Sequence, residues 1–437
     1  MADIKVKIQK EINNLVKKYF SLPGENFISK KIKIPLNIPT FGWQEVNEAI
    51  DSLLSTYVTM NEKVYRFEDM FAKYLGAKHA VMVNSGSSAN LIALSVLSNP
   101  TVKNRIKPGD EIITPAVTWS TTVFPIINVG AKPVLVDVNL NDFSINPELI
   151  EKAITKKTKA IMPVHLLGNP ADMTTIMKIA KKHDLFVIED ACEAHGAQHY
   201  GKKVGTFGDM STFSFFFSHH ISTIEGGMVV TNNDEYAELA KMLRAHGWIR
   251  ELKDKGKIAK KYKKIHKNYL FVNIGYNLRP TALQGAFGIH QIGKLENIIK
   301  IRRKNADFWS DKLSEYSDYL MSPQKKEKKG ERRVWFGYPI IIKERAGFNR
   351  KELTDFLESK GIETRPIMAG NLAEQPAMKL FNYRIASRLD NSEIIMKKAF
   401  FFGNHQGVRK IEKEYLVRCF VQFLKQKSKL RNRYENK

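Results

Sequence analysis

Ser211–Val230 reads STFSFFFSHHISTIEGGMVV. Two short apolar runs, Thr212–Phe217 and Gly227–Thr231, flank a connection of Ser, His and Gly, and predict two strands joined by an irregular turn. The pattern extends upstream, where Ala80–Val83, Glu111–Thr114, Pro133–Val138, Ala160–Val164 and Leu185–Ile188 also read as strands. Helical spacings such as Ala89–Leu97 and Pro147–Ile154 lie between several of them. This alternation predicts an α/β fold with a large, mostly parallel sheet. Beyond residue 285 long helical patterns surround one good strand, Val334–Ile342, and predict a smaller C-terminal α+β domain. Ile8, Ile12, Leu15, Val16 and Tyr19 share one helical face, so an amphipathic helix is expected near the start. The expected organisation is an N-terminal arm over 1–40, a large domain over 41–285 and a small one over 286–437.

The 437 residues, 43% of them hydrophobic, are ample for a buried core, which excludes fibrous, disordered and small disulfide-rich classes. Two cysteines, Cys192 and Cys419, are too few for a disulfide framework and suggest a reducing compartment. The opening MADIKVKIQKEINN has no continuous apolar stretch, and no segment reaches the length of a membrane span, so a cytoplasmic protein without membrane insertion is expected. Lys and Arg outnumber Asp and Glu by 70 to 45, a net charge of +25. The excess gathers in Arg250–Lys267, Lys325–Arg333 and Lys425–Lys437, without aromatics interleaved in the way stacking platforms for single strands require. That distribution fits solvated segments better than a nucleic-acid face, and no nucleic-acid partner is expected. By contrast, no Lys or Arg occurs from Val204 to Ala240, the stretch that holds the two quoted strands.

In open α/β sheets functional residues collect at the carboxyl ends of strands. Asn84-Ser85-Gly86-Ser87-Ser88-Ala89-Asn90 follows the strand Ala80–Val83 and opens a helix. Small residues there let backbone N–H groups approach a phosphate, although a simple Ser-capped helix start has the same composition. Glu189 and Asp190 close Leu185–Ile188, with Glu193 shortly after; buried acids need a partner, such as a heteroaromatic nitrogen that a carboxylate keeps protonated. Trp119, past Thr114, suits stacking on a flat ring and equally suits the core. Ser214 lies five residues before His219, His220 adjoins it, and Glu225-Gly226-Gly227 follow; no acid or cysteine stands at metal-ligand spacing, so no metal site is expected.

These four motifs, in their order and spacing along the chain, resemble the DegT/DnrJ family of fold-type I, pyridoxal-phosphate-dependent nucleotide-sugar enzymes over residues 40–430. The resemblance implies that Gly86, Ser87 and Ser214 hold the cofactor phosphate, Trp119 stacks on the pyridine ring, Asp190 pairs with its nitrogen and Glu193 sits near its hydroxyl. Asn277, in Gly275-Tyr276-Asn277-Leu278-Arg279, matches a residue that reaches the partner subunit's cofactor phosphate, which implies a homodimer with shared sites. Family aminotransferases carry a lysine five residues after the phosphate serine; here that position is His219. Lysine forms a covalent Schiff base with the cofactor aldehyde, whereas imidazole moves protons near neutral pH.

The histidine resembles the 3-dehydratase branch of the family, as do Arg244-Ala245-His246-Gly247-Trp248 and Ala369-Gly370-Asn371-Leu372. That branch removes the C3 hydroxyl of a nucleotide-linked 4-keto-6-deoxy sugar with pyridoxamine 5′-phosphate. One kind uses a [2Fe–2S] cluster, which ordinarily takes four cysteines. With only Cys192 suitably placed, no iron–sulfur cluster is expected, and the resemblance narrows to the metal-free kind, in which L-glutamate restores the pyridoxamine form. It implies the GDP-linked 4-keto-6-deoxy-mannose as substrate; another nucleotide, a heptose, or ordinary amino transfer are the alternatives. His246 and Arg365 are substrate-side candidates, and His220 is the alternative to His219.

Overall fold

A computed structural model describes residues 2–22, 33–323, 327 and 329–435, with side chains through Lys427. Lys325, Lys326, Lys328 and most of the basic tail's side chains lie outside the described residues, as does part of the expected N-terminal arm. Fourteen strands are described. In chain order they are β1 (His79–Val83), β2 (Glu111–Pro115), β3 (Lys132–Val136), β4 (Thr158–Ile161), β5 (Phe186–Asp190), β6 (Gln198–His199) and β7 (Lys202–Lys203). Then follow β8 (Met210–Ser214), β9 (Gly227–Thr231), β10 (Leu320–Met321), β11 (Gly337–Ile342), β12 (Thr364–Pro366), β13 (Arg384–Ile385) and β14 (Ala399–Gly403).

The large sheet runs β1-β9-β8-β5-β4-β2-β3-β13. Its pairings from β8 through β5, β4, β2 and β3 to β13 are parallel, and β9 is antiparallel to both β1 and β8. Side chains alternate across it with the two-residue period of a strand. Ala80 and Met82 of β1 join Phe67, Phe71, Phe213 and Met228 on one face, while Val81 and Val83 join Ile92, Val229 and Leu243 on the other. With helices on both faces, these strands are buried almost throughout, which explains why they read as continuous apolar runs.

The second sheet, β10-β11-β14-β12, is antiparallel and packs Tyr338, Phe400 and Phe402 against Trp309 and Phe420. Cys419 is buried in that core. Two details depart from the sequence reading. The large sheet's last strand, β13, comes from the C-terminal part of the chain, and Arg384 fastens it by pairing with Glu111 on β2 (2.7 Å). The N-terminal helix Ala2–Ser21 forms, but it buries Gln9, Ile12, Asn13 and Val16 only partly against the helix Trp43–Leu54, leaving Ile8, Leu15 and Tyr19 exposed. No helix among the described residues is long and apolar enough to cross a membrane.

Candidate active site

β5 carries its two acids to the carboxyl edge of the sheet, where strand alternation turns them apart. Glu189 accepts hydrogen bonds from the backbone N–H groups of Gly205, Phe207 and Gly208 (2.7–2.8 Å) and pairs with His165 (3.1 Å). Burial pushes its carboxyl up, but His165 and the N–H groups hold it below the usual value. It is a fastening for the β5–β8 connection. Asp190 turns the other way, into a cavity of about 560 Å3, and accepts from Thr122 Oγ1 (2.7 Å), Asn90 Nδ2 (3.0 Å) and the Cys192 N–H (3.2 Å).

The opposite end of the cavity is made where β1 and β8 end and the antiparallel β9 begins. The helix Gly86–Leu97 starts directly after β1, and Ser85 caps it by accepting from the Ser88 N–H (3.1 Å). A Cβ on Gly86 would lie 2.5 Å from the Ser214 Cβ, and one on Gly227 would strike the Ser85 carbonyl. Only glycine lets the helix start and the Ser214 hydroxyl approach so closely. The result is a set of donors, with a helix N-terminus behind them, that suits a phosphate.

Gly86, Ser87, Trp119, Asp190, Glu193, Ser214, His219 and Arg365 all line this one cavity. Trp119 stands at the N-terminus of the helix Ser120–Asn128 with 57% of its surface exposed, which in a chain otherwise well packed is unusual for a tryptophan. Glu193 accepts from the Leu167 N–H (2.7 Å); burial drives its carboxyl up to about 8, opposed by that bond and reinforced by the Asp190 charge. His219 sits on the turn after β8, its ring 5.2 Å from that of Phe336. Burial first, and then the positive charge of Arg302, lower its imidazole to about 3, with the Cys192 backbone opposing. No lysine lines the cavity among the described residues.

Three candidates stand elsewhere. His220 is buried, points away and contacts the Val334 carbonyl with Nε2 (3.0 Å), so the chain turns two adjacent histidines to opposite sides. That contact gives it a structural task and removes it from the cavity as the alternative to His219. His246 adopts a left-handed backbone (φ 61°) and packs edge-on against Trp248, outside the cavity. Asn277 is exposed, accepts from Arg279 Nε (3.1 Å) and does not line its own chain's cavity.

Sequence reasoning passed over the supports of Asp190. Thr212 donates to Asn90 Oδ1 (2.6 Å), and Asn90 in turn donates to Asp190, while Thr118 and Thr122 share a hydrogen bond (2.7 Å). Asn90 lies four residues after Gly86, on the same side of the helix one turn on, which was the available signal. Nothing in the local sequence marks Arg302.

The model of the DegT/DnrJ/EryC1/StrS aminotransferase family matches residues 40–421. The chain belongs to that family. Among its relatives, the GDP-4-keto-6-deoxy-D-mannose 3-dehydratase of Escherichia coli O55:H7 is 43% identical over 380 residues, 86% of this chain and 96% of the relative. The lipopolysaccharide biosynthesis protein RfbH of Salmonella typhimurium is 35% identical over 434 residues, 95% of this chain and 98% of that one. A solved structure of E. coli GDP-4-keto-6-deoxy-D-mannose-3-dehydratase with bound hydrated PLP superposes with a TM-score of 0.83 at 42% identity, covering 89% of this chain and 99% of that chain. The fold is therefore that of the fold-type I members of the family.

Proposed function

We propose that this family member binds pyridoxal 5′-phosphate and pyridoxamine 5′-phosphate and removes the C3 hydroxyl of a nucleotide-linked 4-keto-6-deoxy sugar. The observation that carries the reading is His219 in a cavity that also holds Asp190 and the Gly86–Ser214 cradle, with no lysine lining it among the described residues. A family relative at 43% identity is a GDP-4-keto-6-deoxy-D-mannose 3-dehydratase, which supports the GDP-linked 4-keto-6-deoxy-mannose as substrate; a 40% identical GDP-4-keto-6-deoxymannose-3-dehydratase structure with a trapped PLP-glutamate geminal diamine supports L-glutamate as the source of the amine.

The residues present suit the cofactor. The cradle that a Cβ on Gly86 would fill accepts a phosphate, with N–H groups of Gly86 and Ser87 and the Ser214 hydroxyl as donors. Trp119 offers an exposed face for a flat ring, and the Asp190 carboxylate, oriented by Thr122 and Asn90, suits a protonated ring nitrogen. When bound, pyridoxamine phosphate supplies an amine for the C4 ketone and a ring that accepts electron density from the adjacent carbon. The chain does the rest. Asp190 keeps the ring nitrogen protonated. Glu193, protonated at neutral pH by its raised pKa, donates toward the ring hydroxyl. His219, neutral at working pH, takes a proton from the cofactor's 4′ carbon and returns one to the departing C3 hydroxyl. Arg365, at the cavity wall, faces the anionic parts of the sugar nucleotide or the glutamate.

Sharing of sites in a homodimer is part of this reading. Phe271, Ile274 (92% exposed) and Tyr276 leave an apolar surface beside Asn277 and His246, which supports a second subunit covering it and Asn277 reaching that subunit's phosphate end. The test is incubation with GDP-4-keto-6-deoxy-mannose and L-glutamate, followed by mass spectrometry. The expected products are ammonia and a 3-deoxy sugar nucleotide; a 4-amino sugar as main product overturns the reading. A panel of other nucleotides and of heptoses decides the substrate.

A further inference from the structure

Behind the cavity lies a buried cation that the proposed chemistry does not use. Arg302, on the helix Leu295–Leu313, is 1% exposed. It donates to the carbonyls of Trp335 (3.2 Å) and Phe336 (2.8 Å), and to Asn37 Oδ1 (3.4 Å). Among the described residues no carboxylate pairs with it, and burial pushes its guanidinium down to about 9. Asn37 passes the link on, because its Nδ2 donates to the Phe217 carbonyl (2.9 Å), two residues before His219. One side chain thus ties together the Phe336 backbone, whose ring lies against His219, and the turn that carries His219.

We propose that Arg302 and Asn37 are positioning residues, which fix the His219 ring at the cavity wall by tying the Phe336 carbonyl and the Phe217 carbonyl to one helix. The charge of Arg302 also opposes protonation of that ring. The inference rests on the role given to His219 above. Burying a cation is unfavourable, and a carboxylate partner would be the ordinary remedy. Such a partner would also favour protonation of the neighbouring imidazoles. The groups facing His219 fit that account. His195, with its ring 6.1 Å away, and His220 lie behind it; Arg302 lies beyond; Asp190 and Glu193 share the cavity, and Cys192 contributes its backbone. Arg302 also depresses His195 and His220, each already lowered chiefly by burial, so the cluster holds one positive charge, on the arginine.

The test uses Asn37→Asp, which sets a carboxylate beside Arg302 and removes the donor to Phe217, and Arg302→Lys, which keeps the charge and loses the fork. Carbon-13 NMR of histidine-labelled, cofactor-free protein, assigned with His219→Asn, reads the titration directly. The parent His219 signal should keep its neutral form down to about pH 4. In Asn37→Asp its titration should move up by at least about one pH unit, and the acidic limb of the kcat profile should move with it. In Arg302→Lys the titration should stay low while kcat falls about tenfold with KM within about twofold, the signature of a misplaced ring. If Asn37→Asp does not fold, Asn37→Ser carries the kcat arm, with the same tenfold loss expected. An unmoved titration in Asn37→Asp, or parental kcat in Asn37→Ser, overturns the proposal while His219→Asn is inactive. Should His219→Asn stay active, the proposed function fails instead, and the NMR shift still reads the electrostatic link on its own.

Discussion

The turn Phe216–His220 and the insert Arg250–Lys267 are both loops of a basic protein, yet they differ in every physical respect. The first has no cation in sequence and is tied on all sides, by Asn37 to Phe217 and by His220 to Val334. The second carries nine Lys and Arg, and no residue of its short helix Lys255–Lys261 is fully buried. Leu252 joins a small apolar cluster with Ile249 and Leu270, against which Ile258 and Ala259 of that helix pack half-buried. Charge that is free to sit in water collects where nothing is built, and it is absent where a neutral imidazole is held against a cavity. For this chain the missing lysine is more informative than the +25.

The sharpest way to break that comparison lies inside the first loop. His219→Asn should lower turnover by about a thousandfold, as loss of a general base does. His220→Asn, one residue on, should leave turnover within about tenfold and instead lower the melting temperature by several degrees through an unpaired Val334 carbonyl. Product formation and thermal melts on both variants separate the two roles; equal loss of turnover would erase the distinction. Asp190→Asn should follow, at about a hundredfold, because the carboxylate that Thr122 and Asn90 orient would no longer hold a proton on the ring.

A smaller effect is expected in the pH dependence of stability. His219 and His405 are lowered to about 3 and about 4, burial being the main cause, and His195 and His220 lie well below their ordinary value. A histidine buried in its neutral form adds no penalty above pH 6.5 and loses stability as pH falls toward its folded value, because the unfolded chain binds the proton first. The melting temperature should therefore drop between pH 6.5 and pH 4, and His220→Asn should flatten that drop. Glu193, raised to about 8, acts in the opposite sense between pH 4.5 and 8, so Glu193→Gln should steepen it. A flat profile in the parent protein would mean that the histidines are not buried neutral. The least effect belongs to the insert. Changing Lys255, Lys257, Lys260 and Lys261 together to Gln should shift the melting temperature by no more than about 2 °C, as solvated surface charges do. A larger loss would show the insert to be built after all.

Much of this was legible in the chain itself. The short continuous apolar runs, the Gly and Ser after β1 and the acids closing β5 specify an α/β sheet with its chemistry at the strand ends, because those signals are local. The resemblance to the family also singled out His219, which stands five residues after Ser214 where family aminotransferases carry a lysine. What it left open was which of two adjacent histidines faces the cavity, since a turn without period has no readable sides. Tertiary structure decided that, by burying His220 against Val334 and leaving His219 at the wall. It also decided what surrounds the imidazole: Asn37, Arg302 and Phe336 lie 182, 83 and 117 positions from His219 and meet it only when the helix Leu295–Leu313 and the segment before β11 close on the turn. Residue types and local spacing write the reactive groups into the sequence. The protonation state of a buried group depends on charges distant along the chain, and only the folded packing brings those to it.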